Sequence, residues 1–170
     1  LGVSNIWEPR KGLPDFLELA ERLGPEDRIV LVGLSSRQLR GLPTNVLGLE
    51  RTGSVWELAE IYTMADVFLN LSREETQGMT TAEALACGTP VLTYDQTALP
   101  ETVDATCGAV VPPGVQNVLD VLDKVHFPAD ACRKRAEPFD KRSRFMEYLA
   151  MYRRQWNKAP ESEKERVMIT

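Results

Sequence analysis

The sequence predicts an α/β fold, a Rossmann-like parallel sheet with helices on both faces and a helical C-terminal extension. Short apolar runs alternate with longer amphipathic segments over the first 125 residues. The segments between successive strands are long enough for crossover helices, which parallel pairing requires. Glycines and prolines separate the runs and set their ends. Together these three observations favour a doubly covered parallel sheet.

In the first half of the chain, apolar patterning defines each predicted element. The segment 13–23 is an amphipathic helix with Leu13, Phe16 and Leu17 on one face, and Ile-Val-Leu-Val within 28–33 is a buried strand. Leu58, Ile61 and Tyr62 face inward on a later helix. We therefore predict strands at 1–6, 28–33, 46–49 and 65–70, and helices at 13–23, at a short segment ending near 42, and at 55–64.

In the second half, glycine and proline set the boundaries. Gly78 opens a run of good helix formers that ends at Gly88, and Pro90 prevents its continuation. The remaining predictions are strands at 91–94 and 108–111, a turn or short helix at 99–103, a helix at 115–125 and helical structure to about 156. We expect one domain over residues 1–157 and a polar tail over 158–170.

Composition limits the class of protein. The chain has 170 residues, 43% of them hydrophobic, and it lacks a run of eighteen apolar residues or a secretory signal. Its three cysteines are unclustered and it has one histidine, His126, so we expect no zinc site and reduced thiols in a cytoplasmic protein. No D-x-D motif is present, so no protein-bound metal is expected.

Charge is distributed unevenly along the chain. The formal net charge is −5, which disfavours nucleic-acid binding. Residues 128–159, by contrast, contain nine Lys or Arg and four Asp or Glu. This basic, helical end predicts either contact with an anionic membrane surface or a neighbouring domain, or simply a solvated helix face.

Two carboxylates, Glu75 and Glu83, flank the predicted start of the helix after Gly78. A helix N-terminus at the carboxyl end of a parallel strand is a typical phosphate site. A diphosphate there would separate the two carboxylates, which suits a nucleotide sugar with ribose near Glu83 and hexose near Glu75. Helix capping and surface charge are the alternative interpretation of such a pair.

The whole segment from Glu75 to Val91 resembles the E-x7-E signature of the retaining glycosyltransferases of the GT-B fold, the large group 1 family. That signature is E-x-F-G-x-x-x-x-E-A-x-A-x-G-x-P-V, and Gln77 stands in place of its aromatic residue. The matching positions are Glu75, Gly78, Glu83, Ala84, Ala86, Gly88, Pro90 and Val91.

Further segments extend this resemblance over roughly residues 1–125. Trp7 to Gly12 is similar to the family's R-K-G loop, and 57–67 to its e-L-x-x-x-Y…A-D-v segment. The stretches 99–101 and 108–114 are similar to p-E-x-v…G-x-l-v-x-x-g. A dehydrogenase-type dinucleotide site is not indicated, because Gly33 is followed by Leu-Ser-Ser-Arg rather than the glycine-rich turn.

The resemblance implies roles for individual residues. Lys11 would neutralise the donor diphosphate, with Arg10 as a possible second cation, while Asn5 stands where many relatives have an arginine. Glu83 would hold the ribose, and the catalytic residue Glu75 would contact the transferred sugar. The remaining implied donor contacts are the backbone amides at the helix tip and the base-contacting residues, namely Gly78, Met79, Thr80, Arg51 and Thr52.

The resemblance also implies what the whole protein does. It would be a hexosyltransferase acting on a glycan, lipid or polysaccharide acceptor, with a nucleotide sugar, most commonly UDP-linked, as donor and no further cofactor. This chain would be its C-terminal donor-binding domain, inactive alone because an N-terminal domain holds the acceptor. A cytoplasmic location, including the inner face of the membrane, is expected. Alternatives are a sugar phosphorylase or epimerase domain of the same fold, a non-catalytic binding module and a purely structural domain; a glycosidase is less favoured.

Overall fold

Six parallel strands form the centre of the protein, and the computed structural model describes residues 1–158. The strands are β1 (Gly2–Val3), β2 (Ile29–Val32), β3 (Val46–Leu49), β4 (Phe68–Asn70), β5 (Val91–Tyr94) and β6 (Gly108–Val111). The helices are α1 (Leu13–Arg22), α2 (Ser36–Leu39), α3 (Val55–Met64), α4 (Met79–Cys87), α5 (Leu99–Thr102), α6 (Val115–Leu122), α7 (Ala129–Ala136) and α8 (Lys141–Lys158). Short 3-10 turns cover Pro9–Lys11 and Glu137–Phe139.

The strands pair as two three-stranded parallel sheets, β1-β2-β3 and β4-β5-β6. Their inner edges meet, because the Leu69 amide donates to the Leu1 carbonyl at 2.8 Å and the Leu1 amino group donates to the Val67 carbonyl at 3.0 Å. The spatial order across both sheets is therefore β3-β2-β1-β4-β5-β6. The chain changes direction across the sheet between β1 and β4, which in open α/β folds is where ligands bind.

Alternate residues of the strands pack into two apolar clusters, one on each face. Leu31, Leu69 and Leu92 lie in the cluster that also contains Phe16 of α1 and Val118 of α6. Their neighbours along the strands, Val32, Phe68 and Val91, lie in the second cluster with residues of α3, α4 and α7. This alternation with helices on both faces confirms the predicted Rossmann-like α/β fold.

Most predicted elements agree with the structure, and the differences have local causes. The predicted strand at 1–6 ends at Val3, since the chain turns towards the Pro9–Lys11 segment. The predicted helix at 115–125 ends at Leu122. The helical region beyond it is divided into α7, a 3-10 turn at Pro138 and α8, because proline cannot donate the hydrogen bond that a continuous helix needs.

The described residues divide into two compact units, Leu1–Ala136 and a second one that begins at Glu137. The helical extension after the sheet is confirmed as α8, whose described side chains are not buried. Its exposed apolar residues include Phe145, Tyr148, Tyr152 and Trp156. The tail predicted at 158–170 lies, apart from Lys158, outside the described residues. No helix within residues 1–158 is long and apolar enough to span a bilayer.

Candidate functional site

A cleft of about 340 Å³ opens at the carboxyl ends of β1 and β4, where the two sheets meet. One wall comes from the segment after β1, including Arg10 and Lys11. The other comes from the loop after β4 and the tip of α4, including Glu75, Gly78 and Thr80. The fold therefore brings together residues that are more than sixty positions apart in the sequence.

Lys11 and Glu75 meet directly in this cleft. The Lys11 ammonium donates to Glu75 Oε2 at 2.5 Å, and the side chains are only 19% and 16% exposed. Gly12 makes this approach possible: its φ is 80°, and a Cβ there would lie 2.3 Å from the Leu71 carbonyl oxygen. Only glycine lets the lysine-bearing turn pack this closely against the chain leading to Glu75.

The Glu75 carboxyl has a lowered pKa. Partial burial acts in the opposite direction and raises the pKa, but the hydrogen bond and positive charge of Lys11 outweigh it, helped by the backbone amides of Thr76 and Gly78. Glu75 is therefore held as a carboxylate against both a cation and backbone donors. The Lys11 ammonium and the backbone amides near the start of α4 would also attract an anionic ligand.

The N-terminus of α4 faces the cleft. Gly78 precedes the helix with φ 67° and has no side chain that could cap it, while its own amide donates to the Glu75 carboxyl. Thr81 and Ala82 donate to the Gly78 carbonyl, which leaves the amides of Met79 and Thr80 without an intrahelical acceptor. Gly78, Met79 and Thr80 all line the cleft. Their role as a phosphate-binding helix tip stays a prediction.

Arg10 also lines the cleft, at its rim. Its guanidinium donates to Glu8 at 2.7 Å, and the two side chains are about half exposed, 51% and 47%. An ion pair of this exposure is weak and exchangeable. The second cation predicted for the site is thus present beside Lys11 but already has a carboxylate partner.

A second cleft of about 480 Å³ lies at the carboxyl ends of β2 and β3. Arg51 lines it together with Ser35, Ser36 and Glu50, whereas Thr52 is half-buried and does not line it. The two clefts share Asn5, Ile6 and Trp7, so they form adjoining compartments of one surface groove.

Trp7 forms the wall between the compartments, a role that sequence reasoning did not assign. Its indole nitrogen donates to the Val32 carbonyl at 2.9 Å, and its ring packs edge-on against Phe16 with centroids 5.3 Å apart. The Gln38 amide donates to the Trp7 carbonyl at 2.8 Å. In the sequence, the only indication of this role is that Trp7, one of three tryptophans, stands just before the R-K-G loop.

Glu83 lies apart from the other predicted residues. It is exposed on α4 one turn after the helix tip, and its Oε2 accepts a hydrogen bond from the Tyr62 hydroxyl at 3.0 Å. It lines neither compartment of the groove. The Tyr62 side chain is only 1% exposed, and burial together with the Glu83 carboxylate raises its pKa, so the phenol is a neutral donor.

Within residues 1–158, no group of three or more His, Cys, Asp or Glu side chains is arranged to hold a metal ion. The three cysteines are free thiols; Cys107 and Cys132 are buried, and burial raises the pKa of both. The groove therefore presents cations, backbone amides and carboxylates, a set that suits a polar, anionic organic ligand.

Comparison with known proteins places this arrangement in a family. The family model for group 1 glycosyl transferases matches residues 1–125. Among curated proteins, no sequence matches the chain.

Three solved structures illustrate the likeness in fold. Sucrose-phosphate synthase from Thermosynechococcus elongatus is 22% identical with a TM-score of 0.80, over 93% of this chain and 45% of the synthase. Anabaena HepE in complex with UDP is 21% identical with a TM-score of 0.69, over 88% of this chain and 48% of HepE. The C-terminal domain of LpcC, a group 1 family protein from Francisella tularensis, is 24% identical with a TM-score of 0.61, over 80% of this chain and 79% of that domain.

HepE has also been solved with UDP-glucose. At these identities the likeness establishes the shared fold, and this chain spans less than half the length of the synthase and of HepE. The family match covers nearly three quarters of the sequence and includes every residue of the groove. The chain belongs to the group 1 glycosyl transferases.

Proposed function

We propose that this chain is the donor-binding, C-terminal half of a retaining GT-B glycosyltransferase that transfers a hexose from a nucleotide sugar. The observation that carries the proposal is the juxtaposition of Lys11, Glu75 and the tip of α4 in one cleft at the β1/β4 edge. A cation beside the backbone amides of Met79 and Thr80 suits a diphosphate, and a carboxylate in the same cleft suits sugar hydroxyls.

The diphosphate would lie between Lys11 and the amides of Gly78, Met79 and Thr80. Lys11 is paired with Glu75 in the free protein, so the ligand would compete for its ammonium group. Arg10, whose partner Glu8 is half exposed, would add a second cation at little cost. In this proposal the exchange of partners leaves Glu75 free to accept hydrogen bonds from the sugar.

The nucleoside would extend into the compartment after β2 and β3. Arg51, which lines this compartment, would contact the base, together with the neighbouring Thr52, which lies outside the lining. Glu83, also outside the groove, would reach the ribose hydroxyls with the carboxylate oxygen that Tyr62 does not use. Uridine is the proposed base; the support is that HepE, a structural neighbour, has been solved with UDP and with UDP-glucose.

Glu75 is the proposed catalytic residue. Its pKa is lowered in the free protein, and even at its ordinary value of 4.5 the carboxyl is ionised near neutral pH after Lys11 has turned to the diphosphate. The carboxylate can therefore stabilise positive charge that develops as the glycosidic bond opens. Retention of the anomeric configuration is proposed from the E-x7-E pattern, and no bound metal or further cofactor takes part in the proposed chemistry.

The acceptor would be held mainly by a separate N-terminal domain. The support is that larger neighbours are about twice as long as the matched region and that the LpcC structure is described as a C-terminal domain. A glycan, lipid or polysaccharide is the proposed acceptor, at the cytoplasmic face of a membrane that the basic, aromatic helix α8 would approach. Residues 1–170 alone would bind donor without transferring sugar.

The proposal is tested by titrating the chain with UDP, GDP, ADP and UDP-glucose, using calorimetry or ligand-observed NMR. We expect selective binding of one nucleotide and a loss of about tenfold or more in affinity in Lys11→Ala, because a charge-assisted contact contributes about 1.5–3 kcal/mol. Lys134→Ala, which removes an exposed lysine outside the groove, is the matched control.

Equal affinity in Lys11→Ala and wild type would remove Lys11 from the site. Absence of binding by every nucleotide at millimolar concentration would contradict the donor-binding proposal for this chain. Transfer or hydrolysis of UDP-glucose by the chain alone would contradict the proposed need for an acceptor domain.

A further inference from the structure

Thr97 has an unusual backbone conformation beside the cleft. It lies in the turn between β5 and α5, and its φ of 47° is the only positive value among the non-glycine residues of the described chain, 1–158. A β-branched residue in the left-handed region is a true outlier, because its Cβ substituents crowd the backbone. Such strain persists only where surrounding contacts maintain it, and it is concentrated at functional sites.

One contact accounts for the position of Thr97. Its hydroxyl accepts a hydrogen bond from the backbone N–H of Glu75 at 3.0 Å, across 22 residues of chain. Thr97 is exposed and has no role in the apolar core. The strained turn therefore places a hydroxyl against the backbone of the residue whose carboxylate meets Lys11.

The loop that carries Glu75 makes further contacts through Arg73, two residues earlier. Arg73 donates from Nη2 to both carboxylate oxygens of Asp15, at 3.2 and 3.0 Å, and its backbone N–H donates to the Arg10 carbonyl at 2.8 Å. Asp15 is buried in the first turn of α1 and also accepts from the Tyr94 hydroxyl at 2.8 Å.

The Thr97–Glu75 and Arg73–Asp15 hydrogen bonds both depend on residues at or just after the end of β5. Tyr94 is the last residue of β5 and Thr97 follows it by three positions, so one strand end supplies both the support for Asp15 and the acceptor for Glu75. The segment from Arg73 to Glu75 is thus held between α1 and the turn after β5. The side chains that make these contacts, Arg73, Asp15 and Thr97, do not line the cleft.

We propose that Thr97 is a positioning residue that fixes Glu75 against Lys11, with the Arg73–Asp15 pair as the second support of the same loop. The inference deepens the proposed function and rests on it where ligand affinity is concerned. A purely local role for Thr97, as an ordinary turn residue, leaves its strained conformation and its bond to Glu75 unexplained.

The test uses three variants of the full chain. Thr97→Val keeps the shape and removes the acceptor, whereas Thr97→Ser keeps the hydroxyl and removes the branch. Thr63→Val, a threonine of α3 outside the groove, is the matched control. The readouts are the Glu75 carboxyl pKa from NMR titration, exchange of the Glu75 amide hydrogen, thermal unfolding, and affinity for UDP and UDP-glucose.

We expect Thr97→Val to raise the Glu75 pKa towards its ordinary value and to speed exchange of the Glu75 amide, since the loop no longer holds the carboxylate against Lys11. Its affinity for UDP-glucose should fall several-fold more than its affinity for UDP. Thr97→Ser should match the wild type in the Glu75 pKa, in exchange of the Glu75 amide and in nucleotide affinity. Thr63→Val should change none of these three quantities.

The outcomes separate the two levels of the proposal. An unchanged Glu75 pKa and amide exchange in Thr97→Val would overturn the positioning role, whatever the effect on thermal unfolding. If the Glu75 pKa shifts in Thr97→Val but wild type binds no nucleotide, the positioning role stands and the proposed function fails. Equal behaviour of the Val and Ser variants would show that the hydroxyl is irrelevant and would also overturn it.

Discussion

Two glutamates eight positions apart occupy very different surroundings in this protein. Glu75 is enclosed by Lys11, two backbone amides and a threonine hydroxyl, and its pKa is lowered. Glu83 is exposed on α4 and accepts a hydrogen bond from a neutral phenol, Tyr62. The motif spacing places both carboxylates near one helix, but segments distant in the sequence set the electrostatic surroundings of each.

The difference arises from chain packing rather than from the helix itself. The Lys11 turn can reach Glu75 only because Gly12 lies against Leu71. Among residues 1–158, the side-chain hydrogen bond that Glu83 makes comes from Tyr62, on the adjacent helix α3. Tyr62 belongs to the second apolar cluster, on the face of the sheet opposite Phe16. Variants at Gly12 and Glu75 alter the surroundings of Glu75, and a variant at Tyr62 alters those of Glu83.

The largest effect is expected from Gly12→Ala. A Cβ at Gly12 would lie 2.3 Å from a backbone oxygen at a φ of 80°, so the lysine-bearing turn must move away. We expect a loss of about 3 kcal/mol or more in the free energy of unfolding, measured by denaturant titration. The Glu75 pKa should return towards its ordinary value while the Tyr62–Glu83 hydrogen bond persists.

Gly41→Ala is the control for that experiment. Gly41 also has a left-handed φ, 90°, but a Cβ there would meet nothing within 4 Å. Conformational strain alone should therefore cost about 1–2 kcal/mol. Equal losses in the two variants would show that the close approach of Gly12 to Leu71 contributes nothing, and would remove the packing explanation for the Glu75 environment.

An intermediate effect is expected from Tyr62→Phe, which alters only the surroundings of Glu83. The Tyr62 hydroxyl is buried and donates to Glu83, so its removal should lower the free energy of unfolding by about 1 kcal/mol. Nucleotide affinity should fall a few-fold if Glu83 holds ribose, and the Glu75 pKa should not change. Tyr148→Phe, at a tyrosine 59% exposed on α8, should leave all three unchanged.

A Tyr62→Phe variant with wild-type stability and wild-type affinity would mean that the phenol does not support Glu83. A variant that loses stability but keeps its affinity would restrict Tyr62 to a packing role.

The smallest effect is expected in the pH dependence of stability. The folded-state pKa of Glu75 is below its ordinary value of 4.5, so its contribution to stability is fully present above that value. It is lost as the pH falls through the lowered pKa. Glu75→Gln should therefore show a shallower loss of stability on the acid side than wild type, measured by thermal unfolding at a series of pH values. Identical acid profiles would contradict the enclosed environment of Glu75.

Much of the fold was predictable from local patterns. β3, β5, β6 and α3 have the predicted bounds, because each apolar run is set off by glycine, proline or a polar turn. β1 is shorter than predicted, because it pairs with β2 only at Gly2 and Val3. The extent of pairing between two strands cannot be read from the apolar run of one of them. The long helical region after residue 128 is interrupted at Pro138, a boundary that proline itself signals.

The candidate site was only partly predictable. The structure brings Lys11, Arg10, Glu75 and the tip of α4 to one cleft, while their contacts with a ligand stay predictions. Trp7, Asp15 and Thr97 were not singled out, although a tyrosine in a buried strand, Tyr94, indicates that a polar partner must lie nearby. Their contacts join residues tens of positions apart, so no local pattern contains them.

The sequence alone therefore determined the α/β class, most element boundaries, the helix tip after Gly78 and the family, because these depend on periodicity, backbone conformation and a contiguous motif. Only the tertiary structure decided that Lys11 pairs with Glu75, that Glu83 lies outside the groove and that Thr97 is strained against the Glu75 backbone. The physical reason is that hydrogen bonds and ion pairs depend on distances of a few ångströms between segments, which chain packing sets.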